Sequence, residues 1–163
     1  MTELKRSFPP AVDERVRLLV LGSLPGEESL ARAQYYAHSR NQFWRLIGAV
    51  VQRDLVVLPY EKRLEALLGC RVGLWDVIGS ASRSGSLDAA IRDHSPNDLL
   101  ALAQSLSNLQ AIGFNGGTSA RLGEKELRET GSWARIALPS SSPAYTLPFE
   151  KKLEAWLTLR RFL

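Results

Sequence analysis

Apolar residues fall along this chain in short runs, separated by longer stretches in which they recur at helical spacing. Val16–Leu21, broken only by Arg17, is the first run. Its nearly continuous apolar character predicts a strand buried on both faces, as in a parallel sheet. Val72–Val77, Gln110–Phe114 and Trp133–Leu138 repeat the pattern. Between these runs the spacing predicts helices. A short one follows Glu27, and a firmer one spans Gln42 to about Gln52, with Phe43, Trp44, Ile47 and Val51 on an apolar face. Leu58–Cys70 opens on Pro59 and carries Leu64, Leu67 and Leu68. Ser95-Pro96-Asn97-Asp98 starts a helix that runs to about Ser107, with Leu99, Leu102 and Leu106 on one stripe. Ser119 to about Arg128 is helical, and so is Leu147 to about Arg161, with Leu153, Trp156, Leu157 and Leu159 inside and the basic residues outside.

Strands that alternate with helices give an α/β fold with a central, mostly parallel sheet of four strands. Two stretches read as irregular. Met1–Glu14, with Pro9-Pro10, reads as a loose arm; Ile78–Ser86 (IGSASRSGS) reads as a flexible, solvent-open loop that carries Arg83. No repeat, heptad or linker divides the chain, so residues 1–163 are expected to form one domain.

Composition narrows the chemistry. The single cysteine, Cys70, excludes an internal disulfide, and two histidines, His38 and His94, without HExxH-like spacing give no basis for a catalytic metal. GxGxxG and P-loop patterns are absent, so neither a dinucleotide nor a nucleoside triphosphate cofactor is expected. The formal net charge of +4 suits a polyanionic partner. No apolar run is long enough to cross a membrane and TELKRSFPP has no signal-peptide core. These features set the expectation of a monomer in the reducing cytoplasm.

The strands share one property at their carboxyl ends. Each delivers small or polar residues there: Gly22-Ser23, Asp76, Asn115-Gly116 and Ser140-Ser141-Ser142. In a parallel sheet those ends lie along one edge and can line a single crevice. Tyr35, Tyr36, His38, Arg40, Asn41, Phe43 and Trp44 follow the first turn closely. Tyr36 is available there for stacking, and Arg40 and Arg83 for anions at the rim. Simpler roles exist for several of them: Asn41 as the cap of the next helix, Asp76 as the cap of a turn, His38 as a structural histidine.

LVLGSLPGEESLARAQYYAHSRNQFW, taken with RVGLWDVI, AIGFNGG and LPSSSPA, resembles the uracil-DNA glycosylase superfamily, most closely its hypoxanthine-DNA (deoxyinosine) glycosylase branch, with the mismatch-specific uracil/thymine glycosylases as near relatives. The resemblance covers about Arg15 to Ala144. It implies a three-layer α/β/α fold and a monofunctional glycosylase that removes hypoxanthine or uracil from double- or single-stranded DNA and leaves an abasic site, without metal or organic cofactor. In many members the turn after strand one carries an Asp or Asn that positions water; here that place falls on Leu24, or on Ser23 with a one-residue shift. In the deoxyinosine branch the role passes to the Asn of the YAHxxNxFW segment, here Asn41. The resemblance further makes Tyr36 the aromatic that stacks on the flipped base and Asp76 the base-recognition residue; Gly22, Ser23 and Asn115, at the neighbouring strand ends, are expected to complete the base site. Ser140, Ser141, Ser142 and Pro143 fall, with Ala144, in the loop that pinches the DNA backbone and fills the gap left by the base, and Ser39 stands where Pro is common. The missing side chain at Leu24 leaves a second reading open, a non-catalytic module of the same fold that binds damaged or single-stranded DNA.

Overall fold

The computed structural model describes residues 4–163. The chain runs β1 (Leu4–Arg6), β2 (Leu18–Gly22), α1 (Glu27–Arg32), α2 (Phe43–Val51), α3 (Tyr60–Gly69), β3 (Val72–Asp76) and β4 (Ile78–Ser82). It continues through β5 (Arg92–Pro96), α4 (Leu99–Ser105), β6 (Ala111–Asn115), α5 (Gly117–Leu127), β7 (Ala134–Leu138) and α6 (Phe149–Trp156), with 3₁₀ turns at Asp88–Ala90 and Leu157–Phe162.

Four strands form an all-parallel sheet in the order β3-β2-β6-β7. Successive side chains of a strand point to opposite faces, and β2 shows the consequence. Leu18 and Val20 join Phe43, Leu46, Ile47, Leu67 and Trp156 in one core layer; Leu19 and Leu21 join Leu99, Ala103, Leu122 and Leu127 in the other. The fold is three-layered, with α2, α3 and α6 on one side and α4 and α5 on the other.

After β2 the chain adds β3 on one side and later crosses to β6 on the other, so the topological switch lies between β2 and β6. The register sets Gly22 opposite Asp76 and Leu21 opposite Phe114, which puts Gly22, Asp76 and Asn115 at one edge.

The two irregular stretches turn out otherwise. Leu4–Arg6 pairs antiparallel with β4, Ala11 bridges Leu74, and the Trp75 indole N–H donates to the Phe8 carbonyl at 2.9 Å, so the arm from Leu4 onward is fastened rather than loose. Residues 1–3 of that arm lie outside the described residues. Ile78–Ser82 is a strand in a second, antiparallel sheet ordered β1-β4-β5, not a flexible loop. The terminal helix ends its α portion at Trp156 and tightens into 3₁₀ geometry, and Lys152 on it is buried instead of solvated. No helix among the described residues is long and apolar enough to cross a membrane.

Candidate active site

A cleft of about 1310 Å³ opens at the carboxyl edge, over the switch point. Its floor is Gly22, Asp76, Tyr36 and Asn115, and His38 and Asn41 also face it. The floor is crowded around Gly22. A Cβ there would stand 2.5 Å from Asp76 Oδ1 and 2.9 Å from the Tyr36 hydroxyl, so only glycine lets these two groups close over the strand end. Asp76 Oδ2 and the Tyr36 hydroxyl are both buried without a hydrogen-bond partner. Buried polar atoms are nearly always paired, so this couple at the cleft floor calls for a partner, an ordered water or the polar edge of a bound group. Burial raises the Asp76 carboxyl to about 7, the Asp88 carboxylate adds to this, and the Arg83 guanidinium opposes it. Burial and the neighbouring Asp76 charge likewise push the Tyr36 hydroxyl above its ordinary value.

Tyr36 reaches the floor through a backbone twist. Its φ is +55°, a left-handed conformation unusual for a bulky residue and typical of functional sites. One face of its ring stacks on Phe43, with centroids 3.9 Å apart and planes 17° apart. Phe43 itself is fully buried at the start of α2, so the aromatic run serves both the core and the cleft.

Asn41 is fixed by a tight turn. Its backbone N–H donates to the His38 carbonyl at 2.9 Å, and its side-chain Oδ1 accepts the Phe43 N–H at 3.0 Å. It therefore braces the start of α2 one residue before the N-cap, Gln42, and lines the cleft at once. The turn is tied across the cleft because the Gln42 N–H donates to the Ser141 carbonyl at 3.0 Å.

Asn115 and Ser141 are paired: the Ser141 N–H donates to Asn115 Oδ1, and Asn115 Nδ2 donates to Ser141 Oγ, each at 2.9 Å. Ser141, expected to contact DNA, is buried and all its polar groups serve the protein; it positions Asn115 instead. Ser140 Oγ accepts the Ser142 N–H, and Ser142 Oγ accepts the Ala144 N–H, which leaves the Pro143–Tyr145 tip exposed. Lys152, missed in the sequence, braces this loop: its Nζ donates to the Ser142 carbonyl at 3.1 Å. An amphipathic helix with several lysines gives no sign of which one turns inward.

Arg40 is exposed beside the cleft, as a phosphate contact requires. Arg83 is not. Only 1 % of it is exposed; Nε donates to the Gly85 carbonyl and Nη2 to the Pro25 carbonyl, so it is a strut under the turn after β2. Ser23 Oγ donates to Asp88 Oδ1 at 2.6 Å, which brings a carboxylate to that turn from another loop. Leu24 packs in the core layer and supplies no polar group.

The cleft wall carries four carboxylates, Glu27, Glu28, Asp76 and Asp88, and no Lys or Arg among the described residues. A negative wall favours positive charge developing on a bound group. The first turn of α5 also presents Gly117 and Thr118 to the cleft. Its unpaired N–H groups and the helix dipole favour negative charge there.

The Uracil DNA glycosylase superfamily model matches residues 9–160. The chain belongs to this superfamily. A hypoxanthine DNA glycosylase of Methanosarcina barkeri is 40 % identical over 152 residues, 93 % of this chain and 95 % of that protein. One of Methanosarcina acetivorans is 43 % identical over 143 residues, 86 % and 88 % of the respective chains. A solution NMR structure from Methanosarcina acetivorans, provisionally assigned as a uracil DNA glycosylase, superposes with a TM-score of 0.88 at 38 % identity and covers 98 % of this chain and 99 % of its own.

Proposed function

We infer that the protein is a monofunctional DNA glycosylase that removes deaminated bases, hypoxanthine foremost, from DNA and leaves an abasic site. The observation that carries the reading is the pairing of opposite electrostatic demands in one cleft. Cleavage of an N-glycosidic bond builds positive charge on the sugar and negative charge on the departing base. The carboxylates Glu27, Glu28 and Asp88 and the first turn of α5 line the same cleft.

The target is hidden in the duplex and must be flipped out or already unpaired. In the flipped state, the face of Tyr36 not covered by Phe43 stacks on the base, an interaction worth roughly 1–3 kcal/mol. Asp76 accepts from the lactam N–H that hypoxanthine and uracil carry and adenine lacks. Asn41, bonded to the Phe43 N–H, retains an Oδ1 lone pair to hold a water. That water's oxygen bonds to C1′ as the C1′–N bond breaks; the bonding pair leaves with the base, and water's proton is released. Gly117, Thr118 and Asn115 face the departing charge. Arg40 and the Pro143–Tyr145 tip meet the backbone, contacts that set affinity rather than base choice. Neither a metal nor an organic cofactor enters this scheme, and a monomer in the cytoplasm suffices for it.

Alkali-induced strand cleavage of oligonucleotides that each carry one hypoxanthine, uracil, xanthine or mismatched thymine tests the reading. Cleavage at hypoxanthine that is lost with Asn41→Ala supports it. Binding without release of base at any of the four overturns it in favour of a non-catalytic DNA-binding module.

A further inference from the structure

We propose that the same cleft also releases purines made cationic by alkylation at a ring nitrogen, such as 7-methylguanine and 3-methyladenine, a substrate class distinct from deaminated bases. This activity rests on the reading of the cleft as the base site. The four carboxylates of the cleft are not alike. Glu27 has Lys5 Nζ at 3.7 Å, Glu28 has Arg32 Nε at 3.2 Å, and Asp88 has Arg83 Nη1 at 4.0 Å. Asp76, at the floor, has no ion-pair partner among the described residues, and its Oδ2 is buried without a hydrogen bond.

A buried carboxylate without a counter-ion is costly, and proteins pair such charges or neutralise them. Burial raises the Asp76 carboxyl to about 7, so above that pH the floor carries a negative charge that no ion pair balances. Arg83 is not free to turn to it, because Nε and Nη2 are committed to the Gly85 and Pro25 carbonyls. A neutral lactam meets Asp76 with one N–H. An alkylated purine brings an N–H and a whole positive charge: 7-methylguanine through its lactam N–H, 3-methyladenine through its amino group. A hydrogen bond with ionised partners is roughly twice as strong as a neutral one. The aromatic wall has the same preference. One face of Tyr36 stacks on Phe43, and the face left over attracts a cationic ring more than a neutral one. Glu27, Glu28 and Asp88, with no Lys or Arg among the lining residues, add to a field that favours a cation. Departure is also simpler than for hypoxanthine. When the C1′–N bond breaks, its electron pair cancels the ring charge and the base leaves neutral; the water oxygen bonds to C1′ and one water proton is released.

The test uses duplex DNA treated with dimethyl sulfate, which then holds 7-methylguanine and 3-methyladenine. It is incubated with wild type or Asp76→Asn, and released bases are separated by chromatography and corrected for spontaneous loss without enzyme. Release of hypoxanthine from an oligonucleotide is followed in parallel. Asp76→Asn keeps a hydrogen-bond acceptor and removes the charge. Wild type is expected to release both methylated purines above the spontaneous rate. The ratio of methylated purine to hypoxanthine release is expected to fall on the order of tenfold in Asp76→Asn. The ratio is taken within one protein, so a smaller folded fraction does not change it. Release of hypoxanthine with no methylated purine above the spontaneous rate overturns the proposed activity and leaves the deaminated-base reading standing. An unchanged ratio in Asp76→Asn also overturns it, because the charge then selects nothing. Release of methylated purines alone, lost in Asp76→Asn, keeps it and overturns the hypoxanthine preference; release of neither overturns both.

Discussion

Asn115 and Ser141 hold each other through two hydrogen bonds of 2.9 Å, one in each direction. The pair joins the end of β6 to the loop after β7, so the Asn115 amide at the cleft floor and that loop share one anchor. Ser141→Ala removes the Oγ acceptor and strands a buried Asn115 donor, a loss of about 1–3 kcal/mol. Urea unfolding is expected to show that loss, and turnover is expected to fall with it. Unchanged stability and unchanged turnover together remove the anchor role.

Gly22 explains why the first turn cannot vary. Gly22→Ala drives a Cβ to 2.5 Å from Asp76 Oδ1 and 2.9 Å from the Tyr36 hydroxyl. Both groups are buried and must move, at a cost of about 1–3 kcal/mol. Because those groups form the cleft floor, activity is expected to fall about a hundredfold or more, with DNA binding kept. Excision kinetics beside a binding titration measure the split.

The legible parts of this protein share one feature: their signal is local. β2 and β6 are unbroken apolar runs because both faces are covered, and the register then brings Gly22, Asp76 and Asn115 together. β5, Arg92–Pro96, is entirely exposed and polar, with no period to read; its pairing with β4 is decided by partners, not by its own composition. Arg83 looked like a free cation in a Gly/Ser loop. Its burial depends on the Pro25 carbonyl, 58 residues away. Lys152 is the same case: one lysine of a basic helix turns in because Ser142 offers a carbonyl at 3.1 Å. Residues that build the site through distant partners leave no mark in the pattern of the chain.

Asp76 makes stability depend on pH. Its folded value of about 7 lies above the roughly 4 of an unfolded carboxylate. Between these values the folded state binds more protons than the unfolded one, so stability falls as pH rises from about 4 to 7 and levels off above. The contribution is on the order of a few kcal/mol. Asp76→Asn is expected to flatten the curve and to be more stable than wild type at pH 8, as read by urea midpoints across pH. The same titration is expected to place an inflection near pH 7 in kcat/KM for hypoxanthine, absent in Asp76→Asn.

Asn41 has one observed role, its bond to the Phe43 N–H, and one proposed role, holding the attacking water, and Asn41→Ala removes both. Its Oδ1 accepts the Phe43 N–H at 3.0 Å, and Asn41→Ala loses that bond at about 0.5–2 kcal/mol along with any hold on the attacking water. Asn41→Ser separates them. A serine hydroxyl accepts the same N–H, so thermal stability is expected to return close to wild type, but it is too short to place an oxygen over C1′ as the amide does. Turnover in both variants is expected to drop about 10²–10³-fold, the usual cost of one positioned polar group. Melting temperature and single-turnover excision are measured side by side on the two proteins. Recovery of turnover in Asn41→Ser together with stability makes Asn41 a brace alone, and the water must then be held elsewhere, with the Ser23–Asp88 pair at 2.6 Å as the next group in the cleft able to do it.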